Sequence, residues 1–198
     1  MCAAPLQLST DRLELVATDP SLAEAVADFY LRNAAHFARW DPPLPPDHAS
    51  VQRVRESLTE GEAAFEQGRS LRWWLKPRAK PAWVIGSVHL SSIVRGPFQS
   101  CTLGYALDVQ HTGRGLMHEA LSAVIAEAFA PAINLHRIQA AVRPENAPSL
   151  GVVQRLGFVE EGLARDYLYI DGAWRDHRIF TLLNPHFARP QSWPRSLG

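Results

Sequence analysis

"LDVQHTGRGLMHEALSAVIAEAF", Leu107 to Phe129, joins two different periodicities through a short glycine-containing turn. Upstream, Cys101, Leu103, Tyr105, Leu107 and Val109 alternate with Thr102, Gly104, Ala106 and Asp108, the period of a half-buried strand. Downstream, Leu116, Ala120, Val124 and Ala128 recur on one face of a helix that must stop near Pro131. The junction itself reads Q-x-x-G-x-G. A Walker loop needs GxxxxGK[ST], which is absent, and a dinucleotide fingerprint needs a third glycine where this chain has His118. What remains is a backbone that can approach an anion, followed by the unsatisfied N–H groups at the positive end of a helix. A pyrophosphate fits such a nest, and so far a plain tight turn explains Gly113 and Gly115 equally well.

The flanking sequence sets that junction in an α/β pattern. Leu13, Leu15 and Ala17 alternate as a strand, and Asp19-Pro20 opens a helix carrying Leu22, Val26, Phe29 and Tyr30 on one stripe. "HFARWDPPLPPDHAS" is a stiff loop, because four prolines exclude a continuous helix or a central strand. A second helix follows over 49–67, then strands over 70–75 and 82–93. After the glycine junction, "HRIQAAVRPEN" reads as a strand, "APSLGVVQRLG" as a short helix ending at Gly157, and 158–183 as a hairpin turning at Asp171-Gly172. The order predicts one α/β domain over residues 1–187, built on a sheet of six or seven strands with flanking helices, and a loosely ordered tail over 188–198.

Composition narrows the functional classes. With 20 basic and 20 acidic residues in 198, the chain has no cationic surplus to grip a nucleic-acid backbone. Two cysteines supply neither a disulfide framework nor a zinc site, which predicts a cytoplasmic protein. The start, "MCAAPLQLST", has no signal-peptide pattern, and no 18-residue apolar run predicts a membrane span. The eight histidines fall in no metal-ligand spacing, so no metal is expected.

The junction and the segment that follows it, "RPENAPSLGVVQRLGF", together resemble the GCN5-related N-acetyltransferase family. Gln110 to Gly115 is similar to that family's acetyl-CoA pyrophosphate loop, and Asn146 with Ser149 ahead of Leu156-Gly157-Phe158 is similar to its next motif. "GRGLMHEAL", "HRIQAAVRPEN" and "RLGFVEEGLARDYLYIDGAWRDH" look like the RimJ and RimL branch, which acetylates ribosomal-protein N-termini, with RimJ the nearer. The resemblance implies a mixed, mostly antiparallel sheet whose two central parallel strands splay into a V that receives acetyl-CoA. It also implies that the backbone from Leu107 to Val109 pairs with the pantetheine arm. Amides from Gln110 through Gly113, Arg114, Gly115 and Leu116 would hold the pyrophosphate, and Asn146 would bridge backbone and pantetheine. Arg114 either adds charge there or is a solvated turn residue.

Acetyl transfer requires a neutral amine, a stabilised oxyanion and a proton for the departing thiolate. A protein α-amine is neutral roughly one time in ten at pH 7, whereas a lysine is neutral about one time in several thousand, so an N-terminal acceptor needs only a weak base or a water. Ser149 is the candidate acid, and capping of its own helix is the competing role. Some relatives carry a glutamate in the first strand of the final hairpin. Here that position is Leu168, so Asp166, two residues earlier and expected on the same face, is the nearest carboxylate. Tyr105 and Asp108 are the other candidates, with Tyr105 also readable as a core aromatic. Trp40 in the proline loop and Tyr169 and Trp174 in the hairpin are expected to wall the acceptor cleft. The acceptor is then a protein N-terminus, with a small amine or a non-catalytic acyl-CoA-binding module as the alternatives. The assembly is a monomer or a homodimer.

Overall fold

A computed structural model describes residues 4–190 and 193. Eight strands form one sheet: β1 (Gln7–Ser9), β2 (Leu13–Ala17), β3 (Leu71–Pro77), β4 (Gly86–Val94), β5 (Ser100–Leu107), β6 (Arg137–Val142), β7 (Val159–Ile170) and β8 (Ala173–Leu183). The helices are α1 (Ala23–Phe37), α2 (Val51–Glu66), α3 (Leu116–Phe129) and α4 (Ala147–Arg155). Strand order is β1-β2-β3-β4-β5-β6-β8-β7, and every neighbouring pair is antiparallel except β5 with β6. The expected six or seven strands become eight because Gln7–Ser9 pairs with β2. A three-residue strand is too short to show an alternation.

Period-two alternation builds two cores. On one face Leu13, Leu15, Trp73, Leu75, Val88 and Leu103 pack beneath α3 and α4. On the other, Trp74 and Val84 meet Val26 and Phe29 of α1 and Val54 and Leu58 of α2. The adjacent tryptophans 73 and 74 point to opposite faces, each fully buried. The result is helices on both sides of the sheet. Short capping signals set the ends: Asp19 accepts from Ser21 N–H at a 3₁₀ turn ahead of α1, Ser50 caps α2, and Asn146 caps α4. Asp171 (φ 50°) and Gly172 (φ 72°) adopt the left-handed backbone that a two-residue hairpin turn requires.

The parallel pair decides where a ligand can enter. β5 and β6 are in register from Ser100↔Arg137 to Leu103↔Ala140 and then part. Beyond that point β5 stays paired to β4 as far as Leu107, and β6 stays paired to β8 as far as Val142. Each strand is thus held on its outer side only, and a notch opens between them. At the C-terminal end of the sheet, Ala188 exchanges hydrogen bonds in both directions with the Asn134 side chain. Most of the expected tail, 191–192 and 194–198, lies outside the described residues.

Candidate active site

The glycine junction lies at the open end of that notch. β5 ends at Leu107, and Asp108 caps a 3₁₀ turn, Val109–His111, by accepting from Gln110 N–H at 2.9 Å. Val109 is therefore in a turn rather than in the strand, and its N–H donates to Asn33 Oδ1 at 3.0 Å. The Gln110, His111 and Thr112 amides are taken by Asp108 Oδ1, Asp108 O and Val109 O. The next six, from Gly113 to His118, have no acceptor among the described residues, and the ladder resumes with Glu119 N–H to Gly115 O. The available amides thus begin three residues later than the expected Gln110 to Leu116 set and share Gly113 to Leu116 with it. Gly113 (φ 72°) and Gly115 (φ 75°) are both left-handed, which turns consecutive N–H groups outward, and Gly115 is the N-cap of α3. A concave run of free amides at a helix start is an anion-binding device.

Two clamps fix this loop. Glu119 accepts from Thr10 Oγ, from Arg12 N–H at 2.9 Å and from Arg12 Nε at 2.6 Å, and Arg12 Nη1 also donates to Arg114 O at 2.9 Å. Glu119 is thereby structural, tying the β1–β2 turn to α3. On the other side, the buried Asp108 carboxylate receives Arg32 Nε from α1 at 2.7 Å, while Arg32 also donates to Asp28 and to Val84 O. Burial alone would raise the Asp108 carboxyl, but the Arg32 and Gln110 donors, with Asn33 beside them, outweigh it and hold it below its usual range. A carboxylate held below its usual range and already engaged by these donors is a poor base. Arg114 is exposed and contributes its carbonyl to the Arg12 clamp.

Across the notch, Tyr105 of β5 and Ser149 of α4 bring their hydroxyl oxygens to 2.6 Å. Asn146 Oδ1 accepts from Ser149 N–H at 3.2 Å, so the asparagine sets the first turn of α4 and aims Ser149. Burial pushes the Tyr105 phenol up to about 12, with the Ser149 bond pulling the other way, so it is a donor and not a phenolate at neutral pH. The face alternation of β5 puts Ala106 against the α1–α2 layer. Gly104 shares that face, and a Cβ built there meets nothing within 4 Å, which leaves open space where the strands begin to part.

The remaining candidates disperse. Asp166 is exposed, at φ 47°, in an irregularity between Ala164 and Leu168 of β7, and its N–H donates to Asp176 Oδ1 at 2.9 Å. The expected shared face with Leu168 fails because that irregularity interrupts the strand alternation. The guanidinium groups of Arg39 (4.8 Å) and Arg143 (5.3 Å) both lie over the Trp40 ring. The buried Arg143, directly after β6, donates to Arg39 O at 2.7 Å and so staples the proline loop to the lip of the notch. Tyr169 lines a cavity of about 480 Å³ between α1, the proline loop and the hairpin tip, together with Tyr30, Asp41, Pro43 and His48. Trp174 pairs edge-on with Tyr169 and is mostly exposed, outside that lining. Sequence patterning did not single out Arg12, Arg32, Asn33, Asp41 or Arg143. Their roles depend on contacts between residues distant in the chain, and Asp41 alone carried a local signal, a carboxylate set in a rigid proline-rich loop.

Comparison with known proteins agrees with this geometry. The acetyltransferase (GNAT) domain matches residues 12–159. The [ribosomal protein uS5]-alanine N-acetyltransferase of Escherichia coli is 36% identical over 181 residues, covering 91% of this chain and 92% of that protein. The probable N-acetyltransferase YjcK of Bacillus subtilis is 37% identical, over 70% of this chain and 76% of its own length. Among solved structures, ribosomal-protein-S5-alanine acetyltransferase from Vibrio fischeri superposes with a TM-score of 0.89 at 31% identity, covering 93% of this chain and all of that one. Mycobacterium smegmatis RimJ, in complex with CoA-disulfide, gives 0.80 at 30% identity, over 86% and 81% of the two chains.

Proposed function

Because the chain belongs to the GNAT acetyltransferase family, we propose that it moves the acetyl group of acetyl-CoA to the N-terminal α-amine of a cytoplasmic protein, an alanine-starting ribosomal protein being the first candidate. The single observation that carries the cofactor half of this reading is the run of free amides from Gly113 to His118 at the mouth of the β5–β6 notch. A pyrophosphate satisfies donors that otherwise face water, and the exposed edge of β5 past Leu103 offers backbone groups to an extended pantetheine. The names and coverage of the relatives from Escherichia coli and Vibrio fischeri support the acceptor half.

Chemistry then falls to the side chains beside Leu103. The amine attacks the thioester carbonyl, the C–N bond forms as the C–S bond breaks, and the leaving sulfur needs a donor. Tyr105 and Ser149 supply one as a coupled pair. With its phenol near 12, Tyr105 stabilises the thiolate as a hydrogen-bond donor, and Ser149 links it to the α4 terminus. No lysine-activating base is required, since an α-amine has an appreciable neutral fraction at pH 7.

The test is release of CoA thiol with peptides that begin with alanine or serine, compared with N-acetylated peptides containing lysine, free amino acids and polyamines. Turnover confined to free N-termini supports the proposal. Turnover only with small amines replaces the acceptor, and acetyl-CoA binding by calorimetry without any thiol release leaves a binding module. Absence of saturable acetyl-CoA binding overturns the whole reading.

A further inference from the structure

The cavity between α1, the proline loop and the hairpin tip has acidic side chains in its lining and no basic one to balance them there. Its lining includes the carboxylates of Asp41 and Asp171 and contains no lysine or arginine. Asp171 already has a partner, Arg175 Nη2 at 3.4 Å. Asp41 has none: among the described residues its half-buried carboxylate makes no hydrogen bond and no ion pair, and only its backbone N–H is used, donating to Phe37 O at 2.8 Å. An unpartnered, partly buried carboxylate lining a cavity is costly unless that cavity receives a cation or a donor. The other titratable groups around it are Tyr30 from α1, His48 from the loop and Tyr169 from the hairpin, with Arg72 of β3 reaching the Tyr30 hydroxyl from the sheet. His48 is itself occupied through Nδ1 at Pro45 O, 2.9 Å, with its ring edge-on to Tyr30.

One wall of this cavity, the proline loop, also reaches the lip of the notch. Trp40, the residue before Asp41, rests on Arg143, and Arg143 continues β6 at the lip of the notch. We propose that Asp41 recognises the acceptor as a cation in this cavity and takes one proton from its ammonium before attack; the inference rests on the acetyltransferase reading above. The ammonium gives one proton to an Asp41 carboxylate oxygen, and the neutral amine attacks the acetyl carbon. The C–N bond forms and the C–S bond breaks, the nitrogen loses its second proton, and the departing sulfur takes one up. One proton per turnover therefore leaves through Asp41 to solvent. Burial lifts the Asp41 carboxyl to about 6, close enough to an α-amine's 7.7 to 8.0 for the exchange, and still ionised at neutral pH.

The experiment is the pH dependence of kcat/KM for an alanine-starting peptide, which reports groups of the free enzyme and free substrate. With native protein, whose combining forms are the Asp41 carboxylate and the ammonium, log kcat/KM is level between about pH 6 and 8 and falls with a slope of one below about 6, where Asp41 is protonated. Asp41→Asn lowers kcat/KM at pH 7.5 by about 100-fold or more and leaves the reaction to the neutral amine alone, so the plateau is replaced by a slope of one from about pH 8 down to the acid limit, with acetyl-CoA affinity and melting temperature unchanged. Asp41→Glu restores the plateau. His48→Gln keeps it, whatever its effect on rate. A plateau that survives in Asp41→Asn, or vanishes in His48→Gln, overturns the assignment. Failure of the native protein to turn over any amine removes instead the reading on which it rests. Should Asp41→Asn fail to fold, the profile with Asp41→Glu and His48→Gln still decides, because a plateau that follows His48 excludes Asp41.

Discussion

Replacing Arg32 by methionine leaves the Asp108 carboxylate buried without its guanidinium, and the consequence can be worked from the contacts. Breaking a buried ion pair from one side costs about 3–5 kcal/mol. The Arg32 side chain is 22% exposed and Asp108 keeps the Gln110 N–H, so the cost here is about 2–3 kcal/mol. For a chain of this length that corresponds to a melting temperature lower by about 5–10 °C. The sign with pH follows from the direction of the shift. Asp108 sits below its usual range in the folded state, so its contribution is present above the unfolded value near 4 and is lost as pH falls through the folded one. In Arg32→Met burial wins and the carboxyl rises, so the penalty is largest at neutral pH and shrinks on acidification. Urea unfolding of the native protein, Arg32→Met, Asp108→Asn and the double variant at pH 7 and pH 4.5 measures this. The double variant is expected to recover about 1 kcal/mol or more of the summed single losses. Additive losses, or an Arg32→Met penalty equal at both pH values, would refute the account of the pair.

Other substitutions separate the parts of the site. Tyr105→Phe and Ser149→Ala each slow turnover by about 10- to 100-fold while acetyl-CoA affinity by calorimetry stays within about twofold; undiminished turnover in both removes the hydroxyl pair from the chemistry. Gly115→Ala forces a side chain into the left-handed region, at about 1–2 kcal/mol, and weakens acetyl-CoA binding by about 10-fold in the same titration. An unchanged affinity there would show that the amide nest is not the anion site. Gly104→Val leaves the melting temperature within a few degrees, since its Cβ meets nothing, yet cuts turnover by filling the space where the strands part. Native turnover in that variant would place the reaction elsewhere.

What the chain discloses in one dimension is what repeats locally. The alternation from Cys101 to Leu107, the stripe on α3, and the paired asparagine and serine ahead of α4 are local patterns, and they marked the elements that flank the notch, while the notch itself was an expectation from the family resemblance. The alternation overran at Val109, because it carries no sign that Asn33, far away on α1, takes that amide. The same blindness misplaced the free amides by three residues: capping by Asp108 consumes Gln110 N–H, a use invisible in the Q-x-x-G-x-G spacing. Asp166 suffered from the reverse problem. Strand periodicity is trustworthy only while the ladder is regular, and β7 breaks register between Ala164 and Leu168. Tyr105 and Ser149 were each visible as candidates, but nothing in a sequence states that residues 44 apart share a hydrogen bond.

The parting of β5 from β6 also divides the molecule mechanically. On one side β1 to β5 form a meander in which successive strands are neighbours, and on the other β6, β8 and β7 form a second local unit. Within the sheet, four paired positions, Ser100↔Arg137 to Leu103↔Ala140, join them. The cleft thus lies where the sheet hands over from one unit to the other, while the core beneath α3 and α4 runs on across it. A cosubstrate bonded to both banks fastens the seam, and its stabilisation grows as RT ln(1 + [L]/Kd). Bound acetyl-CoA is then expected to raise the melting temperature and to slow proteolytic cleavage near the cleft, a second way to follow its binding besides calorimetry.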